Sequence, residues 1–117
     1  MKRGDVWTVA GGSGYTGKPR PAVIIQDDAF AATASVIVCA LTTEPIDAPL
    51  FRLPMEPDDG NGLRASCRLM VDKMTSLPRS RLGKRIGRLD EKDVVRLNRA
   101  MMVFLGLAST RRRKAKD

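Results

Sequence analysis

The stretch GKPRPAVIIQ, residues 17–26, sets Arg20 between Pro19 and Pro21 at the entrance of an apolar run. Pro21 pushes Arg20 into extended backbone and Pro19 restricts the residue before it, so the guanidinium leaves a stiff platform. A guanidinium presents a planar fork of donors that matches a phosphate and keeps its charge at any accessible pH. It can stabilise charge developing in a phosphoryl transition state, and a fixed backbone lowers the ordering cost of that contact. The structural alternative is a cation decorating a strand entrance, where proline is tolerated because the first residue need not donate to the ladder.

Two further places carry matching chemistry. Thr42 and Thr43 close the apolar run SVIVCALT, and a hydroxyl there can bond a phosphate oxygen or ribose hydroxyl, or can simply cap the strand. Asp72 follows the apolar SCRLMV, so partial desolvation would raise its pKa and suit it to act as a base. A turn carboxylate paired with Lys73 is the plainer reading of the same residue.

Histidine is absent, which removes the commonest general acid and base and, without CxxC spacing, the usual zinc sites. No metal and no cofactor are expected. Cys39 and Cys67 lie in apolar contexts and read as buried free thiols. Trp7, Tyr15 and three phenylalanines are the only aromatics, too few for a platform of stacked bases, and Trp7 reads as core.

These residues must be positioned by a chain of 117 residues, enough for one compact domain, expected over residues 1–109. The formal charge of +8 points toward a polyanion, and half of it lies in RRRKAKD at residues 111–117. Residues 110–117 are therefore expected to be a disordered basic tail. No apolar run approaches the roughly 20 residues of a membrane helix, the opening MKRGD holds no signal-peptide core, and a cytoplasmic protein is expected.

Alternation predicts a strand in DVWTVA, then a mobile loop in GGSGYTG, a strand over 20–26, and a central β-branched strand over 35–42. A short edge strand is expected at 50–54, a surface loop in EPDDGNG at 56–62, a strand over 66–71 leading into MTSL, and a last strand over 82–89. Asp90 is a good N-cap for one helix, on which Val94, Leu97, Met101, Phe104, Leu105 and Ala108 form a stripe expected to be core or dimer interface. The sum is a mainly β fold, a small barrel of five to seven mostly antiparallel strands with a C-terminal helix.

In order along the chain, RGDVW, RPAVIIQDD, VCALTT, DKMTSL and RLGKRIGRL resemble the MazF/PemK family of toxin endoribonucleases from type II toxin–antitoxin modules. The likeness covers about residues 3–107. It implies an SH3-like (CcdB/MazF-like) barrel, a homodimer, a cognate antitoxin, and metal-independent cleavage of single-stranded RNA at a short sequence. The family's catalytic pair falls on Arg20 and Thr42, with Asp72 as a further catalytic candidate. Lys18, Gln26, Thr43, Arg68, Lys73 and Arg85 are the candidates for RNA contacts. Two positions depart from the family pattern. Met70 stands where some members carry an arginine, for which Arg68 would substitute, and Lys73 stands where glutamine is usual.

Without histidine or metal, the expected chemistry is attack by the substrate's own 2′-OH on the neighbouring phosphate, giving 2′,3′-cyclic phosphate and 5′-OH ends. Two readings from other classes remain at this point: a gyrase-poisoning toxin of the CcdB type, and a basic SH3-like module that binds nucleic acid without cutting it.

Overall fold

A computed structural model describes residues 1–10 and 18–108; the expected GGSGYTG loop and basic tail lie outside the described residues. Seven strands and one helix follow in the order β1 (Asp5–Val9), β2 (Arg20–Ile24), β3 (Ser35–Thr42), β4 (Arg52–Met55), β5 (Cys67–Met70), β6 (Thr75–Pro78), β7 (Leu82–Arg88) and α1 (Glu91–Phe104). Every pairing is antiparallel. The strands run β4–β5–β3–β2–β1–β7 across the sheet, with β6 also on β3. The architecture is thus the expected mainly β fold, but the sheet is not closed into a full barrel among the described residues.

β3 organises the molecule. Its eight residues reach roughly 27 Å, long enough to serve β2 on one edge and two short strands in succession on the other. Leu41 and Thr42 pair with β5, whereas Ser35–Val38 pair with β6. The 3-10 turn Val71–Lys73 carries the chain from one to the other. MTSL, expected only as a connection, thereby contributes β6: Leu77 is its one buried residue, and the vacant edge of β3 supplies the ladder that the sequence pattern does not announce.

The pleat divides the apolar residues between two faces. Val23, Cys39, Leu41 and Leu69 face α1 and pack with Leu97 and Ala100 in the main core. Ala22, Ile24, Val36, Val38 and Leu77 form a smaller cluster on the other face, which Trp7, Val9 and Leu82 flank. Both cysteines are buried and free, as expected, and burial together with the Asp72 charge pushes the Cys39 thiol up to about 12.

Asp90 caps α1 by accepting the Asp93 N–H at 2.8 Å, with Glu91 and Asp93 near the positive end of the helix dipole. The expected apolar stripe is core only at its start. Leu97 is buried and Val94 and Met101 pack against the core, whereas Phe104, Leu105 and Ala108 are exposed, the last two lying beyond the end of α1 at Phe104. No described helix is long and apolar enough to cross a membrane.

Candidate active site

The register of the central strands brings the leading candidates together. Ala22 faces Ala40 and Val23 faces Cys39; carried two residues further, this register sets Arg20 across from Thr42. On the other edge of β3, Thr42 is paired with Arg68, and on β1 Val9 is paired with Arg20. Opposed residues of adjacent strands project to the same face. Arg20, Thr42 and Arg68 therefore form one row over β2, β3 and β5, with the two arginine backbones about 10 Å apart at two strand spacings.

The row lies at the strand ends, where the sheet gives way to loop. Arg20 is exposed and Thr42 and Arg68 are half-buried. The Thr42 hydroxyl accepts the Glu44 N–H at 3.1 Å, the capping bond of a strand end, and its O–H remains a donor. Arg68 Nη1 donates a long bond to the Glu44 carbonyl at 3.5 Å. Lys18 lies two residues before Arg20 and Thr43 one after Thr42, both exposed.

Asp72 corrects the expectation of a raised pKa. Its carboxylate accepts Arg52 Nε at 2.7 Å and Nη2 at 3.0 Å, a bidentate pair that holds the carboxyl below its usual value against the opposing effect of burial. The ion-pair partner is Arg52, not the adjacent Lys73, which is exposed at the end of the same turn. A carboxylate so stabilised in its ionised form is a weak base, and the geometry gives it a structural role beside the middle of β3. Arg52 was not singled out in the sequence because it stands 20 residues from Asp72 in a short edge strand.

Two other candidates sit apart. Gln26 lies beyond the opposite end of β2 from Arg20, where its amide donates to the Phe30 carbonyl at 2.8 Å and accepts from the Ile37 N–H at 3.0 Å. It closes the β2–β3 connection, away from the Arg20 row. Arg85, on β7 opposite Trp7, is separated from β2 by β1 and pairs with Asp5 at 3.3 Å. Trp7 is half-buried against the smaller cluster, as expected of a core residue, although its buried Nε1–H has no partner among the described residues. Asp58, Asp90 and Asp93 bring carboxylate oxygens within 4.8 Å of one another, but each already accepts a local hydrogen bond.

The fold and the row define a small basic β protein that presents arginine and threonine side by side on one sheet face. The PemK-like, MazF-like toxins of type II toxin–antitoxin systems match residues 2–105, and the chain belongs to that family. A probable endoribonuclease MazF of Mycolicibacterium smegmatis is 56% identical over 108 residues, 92% of this chain and 99% of that protein. Among solved structures, an endoribonuclease in complex with its cognate antitoxin from a mycobacterial species is 26% identical, with a TM-score of 0.75 over 93% of this chain and 98% of the other. A MazE–MazF structure from Deinococcus radiodurans, 19% identical with a TM-score of 0.76 over 92% and 98% of the two chains, shares the fold.

Proposed function

We propose that the chain is a sequence-specific, ribosome-independent endoribonuclease toxin that cuts single-stranded RNA and is neutralised by a cognate antitoxin. The observation that carries the reading is the register that sets Arg20 beside Thr42 on one face, within a chain 56% identical to a probable endoribonuclease. Family membership and the antitoxin-bound relative support the toxin role over gyrase poisoning. A homodimer acting in the cytoplasm completes the reading.

In this mechanism the 2′-oxygen of the substrate attacks the adjacent phosphorus, the 2′-OH proton leaves to water, and the P–O5′ bond breaks. O5′ takes a proton from water, giving a 2′,3′-cyclic phosphate and a 5′-OH. Arg20 stabilises the charge of the pentavalent phosphorane, and Thr42 donates its O–H to a non-bridging oxygen. Arginine acts here electrostatically, since its pKa makes it a poor proton donor. Because the nucleophile belongs to the substrate, the mechanism requires no metal-bound water.

The test is incubation of the pure protein with mixed-sequence RNA in EDTA, followed by mapping of cut sites and ends. Cyclic phosphate ends at a recurring short sequence are expected, and a 2′-deoxy residue at that junction should abolish cutting while binding persists. Arg20→Ala should lose at least about 100-fold in kcat. Cleavage at the deoxy junction would overturn the mechanism, and RNA bound with steep salt dependence but never cut would mark a binding module.

A further inference from the structure

Beyond the Arg20 row, the same sheet face carries a second concentration of cations. An open cavity of about 490 Å³ is lined by Met1, Lys2, Asp5, Arg85 and Arg88. Asp5 is buried at its base, accepts hydrogen bonds from the Lys2 N–H at 2.8 Å and Arg88 Nη1 at 3.0 Å, and forms an ion pair with Arg85 Nε at 3.3 Å. Burial pushes its carboxyl up, but these bonds outweigh it and the net pKa is lowered.

One carboxylate against the three cationic side chains leaves a double positive excess. The two guanidiniums keep 50% and 46% of their side-chain surface exposed, so Asp5 orients them without covering them. Arg85 uses Nε for Asp5, and its terminal amino groups have no other partner among the described residues. Arg88 uses Nη1 for both Asp5 and the Arg3 carbonyl. Paired guanidinium forks fixed by a buried acid suit an oxyanion that accepts from several directions.

The pleat of β1 puts Asp5 and Val9 on one face, and Val9 is the partner of Arg20. The cavity therefore opens on the face that bears Arg20, Thr42 and Arg68, displaced by about 13 Å along β1 at four residues. That displacement separates it from the phosphate at Arg20.

We propose that Arg85 and Arg88, organised by Asp5 and joined by Lys2, form a subsite for a phosphodiester of the RNA strand away from the cleaved linkage. The inference rests on the ribonuclease reading above. The subsite tightens substrate binding and sets which way the strand lies across Arg20, without taking part in bond breaking.

Arg85→Gln is the informative variant, because among the described residues the polar partner of Arg85 is Asp5, whereas Arg88 also ties down the Arg3 carbonyl. Binding of a single-stranded oligoribonucleotide carrying a 2′-deoxy residue at the cut site is titrated over a salt series with wild type, Arg85→Gln and Arg85→Lys. KM and kcat are measured on the all-ribose strand. Arg85→Gln should weaken binding about tenfold, reduce the slope of log affinity against log salt by about 0.7 for the lost phosphate contact, and raise KM at constant kcat. Arg85→Lys should recover most of the slope. Equal slopes for wild type and Arg85→Gln, with both folded by circular dichroism, would overturn the subsite alone. Failure of wild type to bind the oligonucleotide would overturn the ribonuclease reading and the subsite with it. Unchanged RNA binding with lost affinity for a polyglutamate peptide would overturn the subsite in favour of an acidic protein surface.

Discussion

A carboxylate held in a bidentate fork by a guanidinium that is itself only 6% exposed is committed to its ionised form. That commitment favours the ion-pair use of Asp72 over its use as a base. Asn keeps one acceptor oxygen but removes the countercharge and turns the second oxygen into a donor facing the buried guanidinium, so Asp72→Asn should cost about 2–3 kcal/mol in urea unfolding, less than the ~3–5 of a fully buried pair because Asp72 is partly exposed. The native pKa lies below that of the unfolded chain. The ionic stabilisation is therefore fully present above the unfolded value near ~3.9 and is lost as pH falls through the native pKa. The stability gap between wild type and Asp72→Asn should shrink in that acidic window and stay constant from about pH 5 to 9. Below its melting temperature the variant should keep kcat within about threefold, and a larger loss with intact fold would restore Asp72 to the catalytic set.

At the level of elements, β-branched patterning made β3 legible from end to end, and proline placement marked the entrance of β2 where Arg20 stands. Each was legible as a strand-end residue, but what joined Arg20 to Thr42 in the sequence was the family resemblance; the cross-strand register appears only in the fold. Asp5 with Arg88 and Asp72 with Arg52 could not be read this way, since their partners lie 83 and 20 residues apart and only the sheet order joins them. The loop at 56–62 was legible as turn chemistry but not as packing. Asn61 is buried there, accepting the Leu63 N–H at 3.0 Å and donating to the Glu56 carbonyl at 2.9 Å. Gly62 takes a φ of +71°, and its neighbour across the interface, Gly87 of β7, lies so close that a Cβ would meet the Asn61 backbone. Gly87→Ala should therefore destabilise the protein by more than about 2 kcal/mol, because backbone cannot yield as a side chain tip does. Gly60→Ala in the same loop meets its nearest neighbour at an ordinary 3.7 Å and should change stability by less than about 1 kcal/mol. Thermal melts of the two variants side by side separate packing of the loop from mere loss of glycine.

Across the whole molecule, α1 covers one sheet face, and the other presents the small apolar cluster flanked by Arg20 and Arg68 at one end and by Arg85 and Arg88 toward the other. On the function proposed above, recognition and cleavage fall to this surface, whose cations are held by strand register. The net charge of +8 is divided differently, since +4 belongs to residues 111–117. Charge that is merely near the strand adds affinity for any polyanion, whereas charge at fixed spacing discriminates where the strand lies. Truncation after Ala108 should therefore weaken binding to unrelated single-stranded RNA and flatten its salt dependence by up to about 3.5 in log–log slope, given ~0.7 for each of the five cations removed. Cut positions on a mixed RNA and kcat at saturating substrate should remain those of the full chain. Binding isotherms over a salt series, with cleavage maps of both proteins, check the division. A truncated protein that cuts at different sequences would place base recognition in the tail and refute the assignment of specificity to the sheet face.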